Sequence, residues 1–320
     1  MTRAPLRTTT PTEADVAIVG SGPVGLKIAL DLADAGMKVM LIESGHDRSD
    51  RDSQRLSDAG IANAATHAPL SLAVRRGFGG TSNLWGGRAV PLDETDFADR
   101  PWAPQTRWPI DLHDIEHWYE SACRFLDCGP AIFDDSRLAE LEAKADGLKL
   151  SRLERWCANP RMRAVHGERA RKHPNLHIAF GTTVLRVNID TKSGRVQDLL
   201  VAHDGGRKRL GARSVVVAAG GLETARLLLA SRADEPALFG GAKGPLGRFY
   251  MGHIFGAIAD IAFDRPDLDT AFTFALDASG RYTRRRFTLD MRTQLANRLL
   301  NFSAWPEPPP LDDPRHSSGI

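Results

Sequence analysis

Residues 15–45 read DVAIVGSGPVGLKIALDLADAGMKVMLIESG, and the fold follows from how this stretch divides. DVAIV is a short apolar run of the buried-strand type. Gly20-x-Gly22-x-x-Gly25 follows at once, and Leu26, Ala29, Leu30 and Ala33 then recur at helical spacing. Gly36 stops the helix, and MKVMLI supplies the next strand. The glycines have separate tasks: Gly20 makes the tight turn, Gly22 lets backbone approach a pyrophosphate, and Gly25 lets the helix pack close to the strand. A pyrophosphate then rests on the helix N-terminus, where free N–H groups and the helix dipole favour an anion. Glu43 closes the second strand about twenty residues past the loop, where a carboxylate accepts hydrogen bonds from ribose hydroxyls and repels a 2′-phosphate. The unit therefore predicts a dinucleotide site that disfavours NADP.

The rest of the composition narrows the partners. The chain has 320 residues and a formal net charge of only +2, because acidic residues nearly balance the arginines. That gives no electrostatic case for nucleic acid. The RYTRRRF run from Arg281 is expected to be a solvated strand face or loop. Cys123, Cys128 and Cys157 form neither a disulfide framework nor a zinc spacing, and the ten histidines make no metal motif, so no metal site is expected. The N-terminus lacks an apolar targeting region, and no run of eighteen apolar residues occurs, so the expectation is a cytoplasmic protein with no membrane span. The only compositional tail is SAWPEPPPLDDP at 303–314.

Two features decide which dinucleotide is expected. A simple NAD domain would continue with alternating strands and helices, but residues 46–74 are polar and irregular. Further on, LHIAFGTTVLRVNIDTKSGRVQDLLVAHDGGRKRLGARSVVVAAG at 176–220 alternates in short strands with turns at Lys192-Ser193-Gly194 and Asp204-Gly205-Gly206. This reads as an antiparallel meander placed before a final buried strand, SVVVAA, which rejoins the parallel sheet. Gly220-Gly221 then open a helix that carries Leu227, Leu228 and Leu229. The fold class expected is α/β: a three-layer, Rossmann-like FAD-binding domain, with a parallel sheet plus a meander. An NAD-dependent dehydrogenase stays the alternative.

These residues resemble the glucose-methanol-choline (GMC) flavoprotein oxidoreductases. The resemblance rests on the first unit with Glu43, on GFGGTSNLWGG at 77–87, on VVVAAGGLETARLLL at 215–229 and on PLGRFYMGH at 245–253. The downstream PLDETDF and WPI are similar to bacterial sugar or polyol dehydrogenases. The resemblance implies an FAD site made by Gly20, Ser21, Gly22, Pro23, Val24, Gly25, Glu43 and Ser44, by the loop Gly79, Gly80, Thr81, Ser82, Asn83, Leu84 and Trp85 beside the flavin, and by Val184, Ala219 and Gly220. In that loop Ser82 and Asn83 are expected to hydrogen-bond polar ring atoms, and Trp85 to wall the pocket. Some relatives bind FAD covalently through a histidine; the matching position here is Leu84, so the FAD is expected to be non-covalent.

The implied activity is oxidation of a CH–OH group by hydride transfer to flavin N5. The partners would be a small-molecule alcohol and an electron acceptor: oxygen, a quinone or an electron-transfer protein. The family's catalytic histidine, paired with a histidine or asparagine near the C-terminus, has no matching segment here, so no catalytic residue is assigned. The chain is accordingly expected to be truncated, with apolar surface exposed and a second chain as one way of completing the fold. A catalytically silent FAD-binding fragment, or one half of a split enzyme, is the alternative from another class. The expected organisation is 12–110 FAD-binding, 111–174 a cap-side helical insertion, 175–235 FAD-binding again, and 236–320 an incomplete substrate domain. Arg75 and Arg76 stay open between a phosphate contact and water. From Asp111 a helix is expected with Ile115, Tyr119 and Ala122 on one face. Trp102 and Trp108 are expected to pack, with a sugar-lining role as the alternative, and His253 to be structural.

Overall fold

The computed structural model describes residues 13–103 and 107–307; most of the proline-rich tail lies outside them. β1 (Glu13–Val19), α1 (Pro23–Asp34) and β2 (Val39–Ile42) form the first unit. Pro23 sits in the first turn of α1, where its missing N–H costs nothing and its fixed φ suits a helix. The helix buries Leu26, Ala29, Leu30 and Ala33, the stripe that the spacing predicts. Gly36 ends it at φ +87°, a conformation glycine adopts without strain.

Six strands make the main sheet, in the order Leu176–Ala179, β2, β1, Gly206–Val217, Val196–His203, Thr183–Ile189. The first four are parallel and the last three antiparallel. The meander is present, with one difference from the expectation. Its third strand and the returning strand are one continuous twelve-residue strand: Leu210 pairs with Leu199 of the meander, and Gly211 with Glu13 of β1. The turn into it is the two-residue loop Asp204 and Gly205, both at positive φ, the hairpin geometry that matches strand twist. Ala17, Val19, Met40, Ile42, Val184, Leu199, Val201 and Leu227 join in one buried core that runs across both halves of the sheet.

The chain forms two compact units. One comprises the chain up to Gly86 with Asn159–Gly252, the other Gly87–Ala158 with the chain from His253. In the second, Ala275–Leu276, Tyr282–Arg285, Leu153–Trp156 and Arg88–Ala89 make an antiparallel four-stranded sheet. All three cysteines are free and buried there, and burial pushes the Cys157 thiol up to about 11.

Three expectations fail in this unit. The helix from Asp111 breaks into His113–Glu116 and Tyr119–Leu126 around an exposed Trp118. Tyr119 donates to the Leu92 carbonyl at 2.8 Å, and the turned second segment buries Cys123 and leaves Ala122 exposed. His253 is exposed rather than structural, in a run without strand or helix where Ile254, Phe255, Ile258 and Ile261 are also exposed. The RYTRRRF run is no solvated face: Arg284 and Arg285 are buried, because aromatic rings and carboxylates enclose them.

The close packing at α1 gives a direct prediction. A Cβ on Gly25 would lie 2.0 Å from the Gly20 carbonyl oxygen, backbone against backbone, whereas one on Gly22 meets nothing within 4 Å. Gly25→Ala should therefore destabilise the chain by about 3 kcal/mol or more, and Gly22→Ala by less than about 1 kcal/mol. Urea unfolding of the two variants checks this, and equal losses would contradict the packing.

Candidate functional site

The site is built where β1 and Gly206–Val217 end side by side. The strand order reverses between them, since β2 lies on the far side of β1, and such a switch point opens a crevice at the carboxyl ends of the strands. Two helices start at that edge, α1 after Gly22 and Gly221–Asp234 after Gly220. Gly20, at φ +99°, presses on the long strand's exit: a Cβ there would lie 2.6 Å from the Ala218 oxygen and 2.9 Å from the Ala219 Cα. Gly220, at φ +80° and ψ 164°, holds a conformation open in practice only to glycine. No side chain caps α1, its first turn carries no acid, and the space beside Gly22, Gly220 and Gly221 is open. Val24 and Leu222 stand exposed in the two first turns.

Glu43 ties this edge together. It is 5% exposed. Its Oε2 accepts from the Ser21 amide at 3.1 Å and the Ser21 hydroxyl at 2.5 Å, and its Oε1 from the amides of Gly45 at 2.8 Å and Gly77 at 3.1 Å. A carboxylate offers about four lone-pair sites, so protein donors fill it. The ribose role expected for Glu43 would require one of those donors to give way. The carboxylate instead joins three loops, those at Ser21, Gly45 and Gly77.

The second glycine loop lies directly on the first. Gly79 donates to the Ser21 carbonyl at 3.1 Å, and a Cβ on Gly80 would come within 2.9 Å of the Gly22 Cα. A Cβ on Gly45 would stand 2.4 Å from the Gly77 nitrogen, and one on Gly79 would meet Arg163. The side chains expected to address a flavin ring are engaged within the protein. Ser82 Oγ donates to the Gly79 carbonyl at 2.6 Å and accepts from the Met162 amide at 3.2 Å, at the start of helix Met162–Lys172. Asn83 Nδ2 donates to the carbonyls of Phe78 and Gly80, and Trp85 Nε1 to that of Pro160 at 2.6 Å. Thr81 is exposed, Leu84 half-buried. The short Gly80–Asn83 helix is thus held by its own polar side chains.

Arg76 resolves toward burial rather than water or phosphate. It forms an ion pair with Glu223 at 2.7 Å and donates to Ser44 Oγ at 2.5 Å and Ser57 Oγ at 2.7 Å. Glu223, the acid in the first turn of helix Gly221–Asp234, therefore anchors the same loop. The structure brings together Gly20, Ser21, Gly22, Glu43, Gly79 and Gly80, and sets Ser44 against Arg76. Ala219 and Gly220 join at the neighbouring strand end. Val184 differs: its side chain is in the sheet core, paired with Val201, so only its backbone remains for a ligand. Gly45, Gly77 and the Arg76–Glu223 pair were not expected as parts of the site. A glycine two residues after the acid and another before FGG were the readable signals.

The family is now clear. Residues 15–256 match the model of the FAD dependent oxidoreductase (DAO) family, and the chain belongs to that family, whose members bind FAD. No curated protein matches the chain. Among solved structures it is similar to pyridoxine 4-oxidase from Mesorbium loti, at 21% identity over 68% of this chain and 52% of that one, TM-score 0.45. It is also similar to a fungal aryl-alcohol oxidase, at 15% identity over 69% of this chain and 48% of that one, TM-score 0.43. The chain spans about half the length of these structures. Membership decides between FAD and NAD in favour of FAD. The residues at the crevice fit that cofactor's pyrophosphate: an uncapped, acid-free helix N-terminus with open space at Gly22. Among the described residues, no helix is long and apolar enough to cross a membrane.

The saturation of Glu43 separates two roles by experiment. Glu43→Gln puts an NH2 group against amide donors and should lower the stability of the flavin-free chain by about 3 kcal/mol, read from urea unfolding. A variant as stable as the parent, with only its FAD affinity reduced, would restore the ribose role instead.

Proposed function

We propose that this chain is the FAD-holding part of a GMC-type oxidoreductase that takes hydride from a CH–OH group of a sugar or polyol to flavin N5. The observation that carries the reading is the junction of two glycine loops at the switch-point crevice: the Gly79 amide bound to the Ser21 carbonyl, with Gly80 against Gly22. Residues 20–25 would hold the pyrophosphate, with Ser44, Val184, Ala219 and Gly220 contributing to the nucleotide and the 79–85 loop to the ring. Bound FAD supplies the hydride acceptor; the protein supplies position and electrostatics. Because Ser82, Asn83 and Trp85 bond to the protein, their part in this reading is to fix the loop's backbone rather than to touch polar ring atoms. Leu84 carries no nucleophile, which supports a dissociable flavin.

The exposed apolar run from Ile254 to Ile261 supports the further reading that additional polypeptide, in the same chain or a second one, covers this part and brings the catalytic base. The electron acceptor would be oxygen, a quinone or an electron-transfer protein. Three free, buried thiols support a reducing, cytoplasmic setting.

Two measurements test the reading. FAD titration by fluorescence should show Gly22→Ala weakening affinity roughly tenfold, a loss of about 1.4 kcal/mol; unchanged affinity would remove the pyrophosphate from this loop. Anaerobic mixing of flavin-loaded chain with sugars and polyols should bleach the flavin with at least one of them, and acid should release it all into the supernatant. A flavin that no alcohol bleaches would mark a silent module, and flavin in the acid pellet would refute the non-covalent assignment.

A further inference from the structure

The sheet of the second unit distributes its arginines unevenly between its two faces. Successive residues of a strand point to opposite faces. On one face Arg155 pairs with Asp277 at 2.6 Å and Arg285 with Asp135 at 2.7 Å, the latter carboxylate also holding Arg137 at 2.6 Å. On the other, Glu154 stands opposite Arg284, and Arg88 opposite Trp156. Arg286 follows two residues after Arg284. Here a single carboxylate, fully buried, serves the arginines: Glu154 accepts from Arg88 at 2.5 Å and from Arg284 at 2.9 Å. Each oxygen then holds one guanidinium, and Arg286 donates no side-chain hydrogen bond to any described residue.

Three buried donors are left without partners on this face, the Nε atoms of Arg88, Arg284 and Arg286; on the opposite face Arg285 Nε lacks one as well. Arg284 is more than nine-tenths buried. Its guanidinium lies 4.7 Å from the Trp305 ring centroid, 4.9 Å from Phe274 and 5.3 Å from Trp156, and Arg88 lies 4.5 Å from Trp305. Aromatic rings orient these cations but accept no in-plane hydrogen bonds in the way an oxyanion does. Burial pushes the Arg286 guanidinium below its ordinary value; Glu154 pulls it back up, Arg88 adds to the fall, Asp93 raises it and Arg152 lowers it. Asp93 and Arg152 do not settle the balance, since Arg152 is itself drawn to Asp134 at 3.0 Å. Both also line a cleft of about 380 Å³ in the same unit. Arg88 keeps a third of its side chain exposed, so the cluster is open to solvent on that side.

We infer that this face is a binding site for the acid group of a small molecule, a carboxylate or a phosphate, held by Arg286 together with Arg88 and Arg284. An oxyanion there supplies acceptors to the Nε donors that Glu154 does not reach, and offsets the charge of three guanidinium groups set around one carboxylate. The guanidinium fork suits a planar two-oxygen group, and Trp305 and Trp156 wall it. The site is independent of the flavin reading, because binding needs no turnover.

Tryptophan fluorescence of the full chain, titrated with gluconate, with glucose 6-phosphate and with glucose at constant ionic strength, tests it. At least one of the two acids should give a saturable change while glucose gives none, and the comparison shows which oxyanion the site takes. Arg286→Gln should raise the dissociation constant at least about tenfold, and Arg286→Lys should give an intermediate value, since a lysine keeps the charge and loses the fork. Without ligand, Arg286→Met should melt roughly 3 °C higher, because it removes a half-buried cation whose buried Nε has no acceptor. The absence of saturable binding by both acids, equal affinity in Arg286→Gln, or a lower melting point for Arg286→Met would each overturn the proposal.

Discussion

The whole crevice depends on one buried carboxylate finding enough donors. Glu43 sits at the end of a fully buried strand, where an ionised group persists only if hydrogen bonds replace the water it has lost. It obtains them from Ser21, Gly45 and Gly77, so satisfying the charge forces the phosphate loop, the turn after β2 and the second glycine loop into contact. The glycines follow from that demand. Three backbones meeting at one side chain leave no room for Cβ atoms, as the distances at Gly45 and Gly80 show. The glycine pair that first suggested proximity to a flavin is needed just as much for proximity to the neighbouring loop.

Much of the first unit was legible because its signals are local and periodic. The spacing of Leu26, Ala29, Leu30 and Ala33 fixes one helix face, and a positive-φ glycine fixes its end, with no knowledge of the rest of the chain. What was not legible depends on partners far along the sequence. The Gly77 amide lies 34 residues from Glu43, and Arg76 meets Glu223 across the unit. The arginine run is the clearest case: charged residues at consecutive positions read as solvated, and only partners arriving from other segments, the rings of Trp156, Phe274 and Trp305 at Arg284 and the carboxylate of Asp135 at Arg285, show that they are enclosed. Ser82 and Asn83 are a different failure. Their bonds run three residues back to Gly79 and Gly80, a local pattern common to serine and asparagine in tight turns, and it was readable.

The two units solve the problem of buried charge in opposite ways. In the first, a lone carboxylate is satisfied almost wholly by backbone amides, and the neighbouring Arg76 is paired with an acid and surrounded by hydroxyl and carbonyl acceptors. In the second, guanidinium groups crowd one sheet face, cushioned by rings and sharing Glu154. A carboxylate can be satisfied by main chain, which is available in any loop. A guanidinium has five donors and needs acceptors with matching geometry, which loops supply less readily.

The long strand Gly206–Val217 has a kinetic consequence. Its first half belongs to a hairpin closed by a two-residue turn, a contact between near neighbours, while its second half pairs with β1, almost two hundred residues earlier. Local hairpins close fast and distant pairings slowly. During synthesis at roughly 5–20 residues per second, β1 therefore waits on the order of ten seconds or more for its neighbour, with one apolar edge unpaired. The crevice cannot exist in that interval, because the strand end at Ala218 and Ala219 is one of its walls. Cofactor capture is thereby placed after the hairpin has emerged, and the hairpin becomes the template on which the nucleotide-binding edge is finished.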